Sequence, residues 1–237
     1  MRISALLAIS AVTLLSAGAD AAPPRDFVVA DHPLSEDVAL ARPRLWPGGV
    51  TSLSDVRYAA NSGWRRQTVD IYMPPKKAGP KPLVLYIHGG GWMNGDSRHF
   101  GSLADFPAVA ARLASEGFVV AAVEYRHAAE ARFPSQVQDI RAALRFLKGN
   151  AAKYGIDSAR TGLIGGSAGA HLAAIAAFSC GDGSLDAAGT KAEAGSECVQ
   201  ALVGWYGVYD VPALNAARTA GRDSAIDRLL GCDGPCA

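Results

Sequence analysis

Two short stretches of the 237-residue chain hold residue types that could do chemistry together. The first is Gly165-Gly166-Ser167-Ala168-Gly169, which follows the apolar run 161–164 and opens a segment of small residues. A serine on a sharp strand-to-helix turn presents its hydroxyl as a nucleophile, and glycines on either side relieve the crowding of that backbone. The second is His88-Gly89-Gly90-Gly91-Trp92, directly after the apolar run 83–87. Acyl transfer builds negative charge on a former carbonyl oxygen, and backbone N–H groups aimed at that oxygen stabilise it. The glycines let the backbone approach closely. Ala168, the residue after the serine, contributes a further N–H, and the dipole of the helix that starts there favours the developing anion. Nucleotide-binding turns instead need Gly-x-Gly-x-x-Gly or a P-loop lysine, and neither occurs at these glycines. The expected machinery is Ser167 as nucleophile, with an oxyanion hole from Gly89, Gly90 or Gly91 together with Ala168.

A serine is a weak nucleophile without a base, usually a histidine oriented by a carboxylate. No histidine follows His171. His171 itself lies about one helical turn beyond Ser167, so its side chain should not reach back to the hydroxyl; packing or hydrogen bonding is expected of it. His88 should order the glycine turn. His127 follows Glu124-Tyr125-Arg126 at the C-terminal end of a strand, the face where ligands bind in such sheets, and is the resident candidate base. His32 and His99 have no constellation around them. Asp210, at another strand end, has no histidine to orient and is expected to be a structural loop aspartate.

The elements that must position these groups follow from periodicity and punctuation. Residues 56–60 and 68–73 read as strands joined by a turn at Asn61-Ser62-Gly63, and Pro74-Pro75 end the second. Residues 83–87 and 118–123 are continuous apolar runs, as expected of strands buried on both faces. A helix over about 107–115 separates them. Ser135 is expected to cap a long amphipathic helix to about 154, with Val137, Ile140, Leu144 and Leu147 inward and Gly155 as its stop. Residues 161–164 are a strand, 168–178 a helix, 201–206 a strand and 224–230 a short helix. Strands alternating with helices predict an α/β fold, a mostly parallel doubly wound sheet. The two early strands form an antiparallel edge.

With these motifs placed, the chain resembles the α/β-hydrolase serine esterases of the hormone-sensitive-lipase-like and feruloyl/acetyl-xylan-esterase-like (BD-FAE-like) group. The matching residues are His88 to Trp92 with Asn94-Gly95-Asp96, Glu124-Tyr125-Arg126, Phe133-Pro134 with Asp139, Tyr154-Gly155-Ile156-Asp157, Gly165 to Leu172, and Tyr206-Gly207 with Asp210. The resemblance implies acyl transfer through an acyl-serine on Ser167, with no metal or organic cofactor. It also implies an acid and a histidine downstream of the serine, in that order. Nothing after 201–206 reads as the further strands that carry them. The expectation is a hydrolase domain over 51–237 without its C-terminal Asp/His segment, poorly active as it stands, with the 201–206 strand left uncovered. The alternatives are a non-catalytic binding protein on the same fold and a fragment of an incomplete gene model.

The first 21 residues read as a signal peptide: Arg2, the apolar run 3–15, then small residues, with cleavage at Ala19/Ala21 or Ala17/Ala19. The run is shorter than the ~20 residues a membrane span needs. Residues 22–50 read as an irregular leader. A secreted or periplasmic location makes disulfides permissible, and local pairing of Cys180 with Cys198 and Cys232 with Cys236 closes the smallest loops. No CxxC or close histidine pair suggests zinc. The composition, 49% hydrophobic and 19% charged, suits one globular domain, and a net charge of +1 gives no reason to expect nucleic acid. The expected partner is a small-molecule or polysaccharide-linked ester.

Overall fold

The computed structural model describes residues 43–60, 65–75, 79–101, 105–190, 196–216 and 225–232. The signal and most of the leader, the Asn61-Ser62-Gly63 turn, Cys236 and His32 lie outside these residues. The described strands are β1 (Arg44–Leu45), β2 (Thr51–Arg57), β3 (Thr68–Met73), β4 (Lys81–Ile87), β5 (Val119–Val123), β6 (Ile156–Gly166) and β7 (Ala201–Trp205). They form one sheet in the order β1-β2-β3-β5-β4-β6-β7. β5, β4, β6 and β7 run parallel, and β1 to β3 form the antiparallel flank. Among the described residues six α-helices accompany them: α1 (Phe106–Ser115), α2 (Ser135–Gly149), α3 (Ala151–Tyr154), α4 (Ala168–Phe178), α5 (Val211–Ala216) and α6 (Ala225–Leu230).

Period-two alternation sorts the strand residues onto two buried faces. Val69, Ile71, Leu83, Leu85, Ile87, Val119, Ala121, Val123 and Leu163 share a core with α2 and α4. Tyr72, Tyr86, Val120 and Ala122 face the other way, against α1. β5 is buried at every position, which explains its unbroken apolar run. α1 starts where the Asp105 carboxylate accepts the Ala108 N–H at 3.0 Å. The inward stripe of α2 is the one expected: Val137, Ile140, Leu144 and Leu147 are all buried. Gly155 ends α3 at φ 70°, the left-handed stop that glycine permits.

The structure departs from the sequence reading in several places. Ser135 does not cap α2; it is the first helical residue, Pro134 holds the cap position, and no side chain caps it. The long helix breaks at Asn150, whose side-chain amide bonds the Phe146 carbonyl at 2.8 Å and competes with the helical ladder. β2 begins at Thr51, and β1, within the expected leader, pairs with it, so the sheet reaches upstream of residue 51. α5 follows β7 where no helix was expected.

Candidate active site

Ser167 sits between the last residue of β6 and the first of α4, at φ 54° and ψ −125°. A side-chain-bearing residue adopts positive φ only under local compulsion. Here its N–H donates to the Trp205 carbonyl at 2.9 Å, and its carbonyl accepts the His171 N–H at 3.1 Å. The flanking glycines are required by close approach. A Cβ on Gly169 would lie 2.2 Å from the Ile87 carbonyl oxygen, and one on Gly165 would lie 2.5 Å from the Gly169 carbonyl carbon. The end of β4 and the start of α4 are therefore in backbone contact.

That contact brings the glycine loop against the serine. A Cβ on Gly89 would lie 2.8 Å from the Gly166 carbonyl oxygen and 3.4 Å from the Ser167 Cβ. The loop turns back on itself: the Gly90 carbonyl accepts the N–H groups of Met93 and Asn94, each at 3.1 Å. Gly90 and Gly91 have φ of 111° and 59°. Among the described residues, no backbone carbonyl accepts the N–H of Gly89, Gly90 or Gly91. The N–H of Ala168, first residue of α4, has no intrahelical acceptor. The loop and the helix start thus bring donors without backbone partners next to the Ser167 side chain.

The histidines fall into separate settings. The His88 ring stacks on Tyr125 at 4.2 Å, and its Nδ1 lies 2.8 Å from the Gly89 carbonyl, which makes Nδ1–H the donor. Burial pushes His88 down to about 4, so its ring is neutral. His127 is 6% exposed, with Nδ1 3.3 Å from the Arg65 guanidinium. A guanidinium only donates, so Nδ1 accepts and the proton resides on Nε2, away from the base role. Burial and then Arg65 hold the His127 ring below its ordinary value. Arg65 also pairs with Glu124, whose other oxygen accepts the Ser97 N–H at 2.7 Å. His171 accepts the Trp92 indole N–H at 3.2 Å, the hydrogen-bonding role expected of it. His99 pairs with Asp96 at the surface. No described histidine is hydrogen-bonded to the Ser167 hydroxyl. Asp210 accepts the Ala213 N–H at 2.8 Å and caps α5, a structural role.

Other features frame the site. α6 lies near the glycine loop: the Ala225 methyl is 3.9 Å from where a Gly91 Cβ would stand, and Ile226 and Leu229 are buried. Cys180 and Cys198 form the expected disulfide, and Cys232 is not free; Cys236, its expected partner, is outside the described residues. The buried Arg141 bonds the Asp182 carbonyl at 2.8 Å and the Asp186 carboxylate at 2.9 Å, pinning the disulfide loop to α2. Among the described residues no cluster of three or more His, Cys, Asp or Glu is set to hold a metal ion, and no helix is long and apolar enough to cross a membrane. Sequence reasoning missed the left-handed backbone of Trp92, φ 61°, and its link to His171; aromatic and histidine spacing carries no signal for a contact across 79 residues.

A mostly parallel sheet with helices on both faces and a glycine-flanked serine at a strand–helix turn defines an α/β-hydrolase fold. The chain belongs to the BD-FAE family, whose model matches residues 69–234. It is 34% identical to the Mycobacterium tuberculosis protein Esterase LipC over 62% of this chain and 33% of LipC. The chain thus spans about a third of that relative's length. A carbohydrate esterase from gut microbiota, solved in truncated form, is 28% identical with a TM-score of 0.66, covering 78% of this chain and 67% of the other. A bifunctional GH43-CE protein of Bacteroides eggerthii is 30% identical with a TM-score of 0.65, covering 76% and 26%.

Proposed function

We propose that the chain is a carboxylic ester hydrolase that acts through an acyl-serine on Ser167. The observation that carries this reading is the positive-φ backbone of Ser167 with Gly89 packed against it. Attack by the hydroxyl gives a tetrahedral oxyanion beside the N–H groups of Ala168 and of Gly89, Gly90 or Gly91; collapse expels the alcohol, and water releases the acid. Turnover is slow as the chain stands, because no described histidine is bonded to the hydroxyl, and loss of a triad base removes orders of magnitude while the oxyanion hole retains part of the rate. A fluorophosphonate probe should label the purified chain at Ser167, and Ser167→Ala should abolish labelling. Absence of any Ser167-dependent labelling would instead support the second reading, a non-catalytic binding protein, which the unpaired hydroxyl favours.

The substrate is an ester linked to polysaccharide, acetyl or feruloyl; the likeness to a carbohydrate esterase supports this over a free lipid ester. Release of acetate from acetylated xylan, set against hydrolysis of a triglyceride, tests it. The chain is exported, as the apolar run 3–15 followed by small residues suggests. Amino-terminal sequencing of the mature protein should begin after Ala19 or Ala21, and an intact Met1 would overturn export.

A further inference from the structure

The glycine loop poses a positioning problem. Three successive glycines have more backbone freedom than any other tripeptide, yet oxyanion donors work only when held in place before the reaction. Something outside the triplet must hold it. Trp92 ends the triplet and is 2% exposed, with a left-handed backbone that a bulky residue keeps only when its surroundings over-determine it. Its carbonyl accepts the Ala128 N–H at 2.8 Å, which ties the loop to the segment after β5. Its indole N–H donates to His171 Nδ1 at 3.2 Å, and the two rings meet edge to face, 5.3 Å apart at 81°. His171 is the one polar side chain in the otherwise apolar α4, and its own N–H bonds the Ser167 carbonyl. A chain of direct contacts therefore runs from the glycine donors, through Trp92 and His171, to the backbone of the serine.

We propose that Trp92 and His171 form a positioning brace that sets the oxyanion donors of the glycine loop at a fixed distance from Ser167 and Ala168. This deepens the ester-hydrolase reading and rests on it. The brace needs a neutral acceptor at Nδ1, so the His171 proton sits on Nε2; burial holds the ring below its ordinary value and keeps it in that form. The hydrogen bond, rather than ring volume, is what fixes the loop.

The test measures how fast p-nitrophenyl acetate acylates Ser167, as nitrophenolate released per fluorophosphonate-titratable site, in the full chain. His171→Phe keeps a ring and removes the acceptor; Trp92→Phe keeps a ring and removes the donor. Each should slow acylation about ten-fold, the scale of a sub-ångström misplacement. The double variant should be no slower than either single, and His171→Asn, which restores an acceptor near Nδ1, should recover most of the rate. Full acylation rate in His171→Phe, or additive losses in the double variant, would overturn the brace. If the unaltered chain shows no Ser167-dependent reaction, the ester-hydrolase reading fails separately. The brace is then judged by hydrogen exchange of a peptide covering residues 88–95: faster exchange in His171→Phe but not in His171→Asn upholds it, and equal exchange rejects it.

Discussion

β6 has a different neighbour on each side. On one side β4 is interior, with Leu83, Leu85 and Ile87 buried on one face, Tyr86 buried on the other, and its C-terminal end in backbone contact with α4. On the other side β7 is the edge of the sheet that the described residues form; Val203 and Trp205 are 47% and 49% exposed, and Tyr206 and Tyr209 more so. Both strands are short and apolar, so composition alone does not separate them. The difference lies in what covers them. The candidate machinery is built almost wholly on the β4 side, where close packing can hold a strained serine and a glycine loop. From the β7 side the Trp205 carbonyl bonds the Ser167 N–H, and the Tyr206 hydroxyl packs beside Gly166.

Matched substitutions can break this contrast. The largest effect is expected for Gly169→Ala, whose Cβ would meet two backbone carbonyls of the β4 end; soluble yield should collapse, or urea unfolding should show a loss above about 3 kcal/mol. Gly204→Ala in β7 would place its Cβ 2.0 Å from the Tyr209 hydroxyl, but that is the tip of an exposed side chain that can swing aside. Its cost should stay below about 1 kcal/mol. Equal losses for the two glycines would erase the distinction. Leu163→Ala, in β6 and buried, should cost about 2–5 kcal/mol in the same assay, against about 0.5 kcal/mol for Val203→Ala.

Acid should act on the same side. Burial lowers His88, His127 and His171, all in contact with the glycine loop or the segments around it. The unfolded chain binds those protons more readily than the folded one. Stability is therefore full above about pH 6.5, the unperturbed histidine value, and is lost as pH falls toward the His88 value of about 4. Urea midpoints should drop between pH 7 and pH 4.5 by the equivalent of about 1–3 kcal/mol, and His88→Gln should flatten that slope. A flat profile in the unaltered chain would contradict the neutral assignment. The smallest effect on stability is expected for Val203→Lys. It should leave the urea midpoint nearly unchanged while light scattering reports less self-association, since charge on an edge strand opposes edge-to-edge pairing.

The sequence was most readable where local and tertiary preferences agree. β3 and α4 fall on the expected residues because proline, glycine and the serine turn punctuate them sharply. The serine, the glycine loop and the Cys180–Cys198 pair were likewise visible as local patterns. What was hidden depends on partners distant in sequence. β1 looks like leader because two residues acquire strand geometry only by pairing with β2. Residues 156–160 join β6 in part because Ile156 and Asp157 align beside Lys81 and Pro82. Asn150 breaks a helix that its flanking apolar spacing would continue. The Trp92 backbone owes its conformation to Ala128 and His171, neither of which is near it in the chain.

The order of strands also sets a timetable. Trp92 and His171 are separated by 79 positions. At a synthesis rate of about 5–20 residues per second, the glycine loop emerges several seconds before the helix that braces it. During that interval β4 lacks both of its neighbours until β5 is made and then β6 alone, so a newly made apolar strand stands open first on two sides and then on one. The chain therefore passes through a vulnerable stage that the finished fold conceals. A chaperone that shields residues 83–87 until β6 arrives should raise the yield of native protein more than one acting at any later stage.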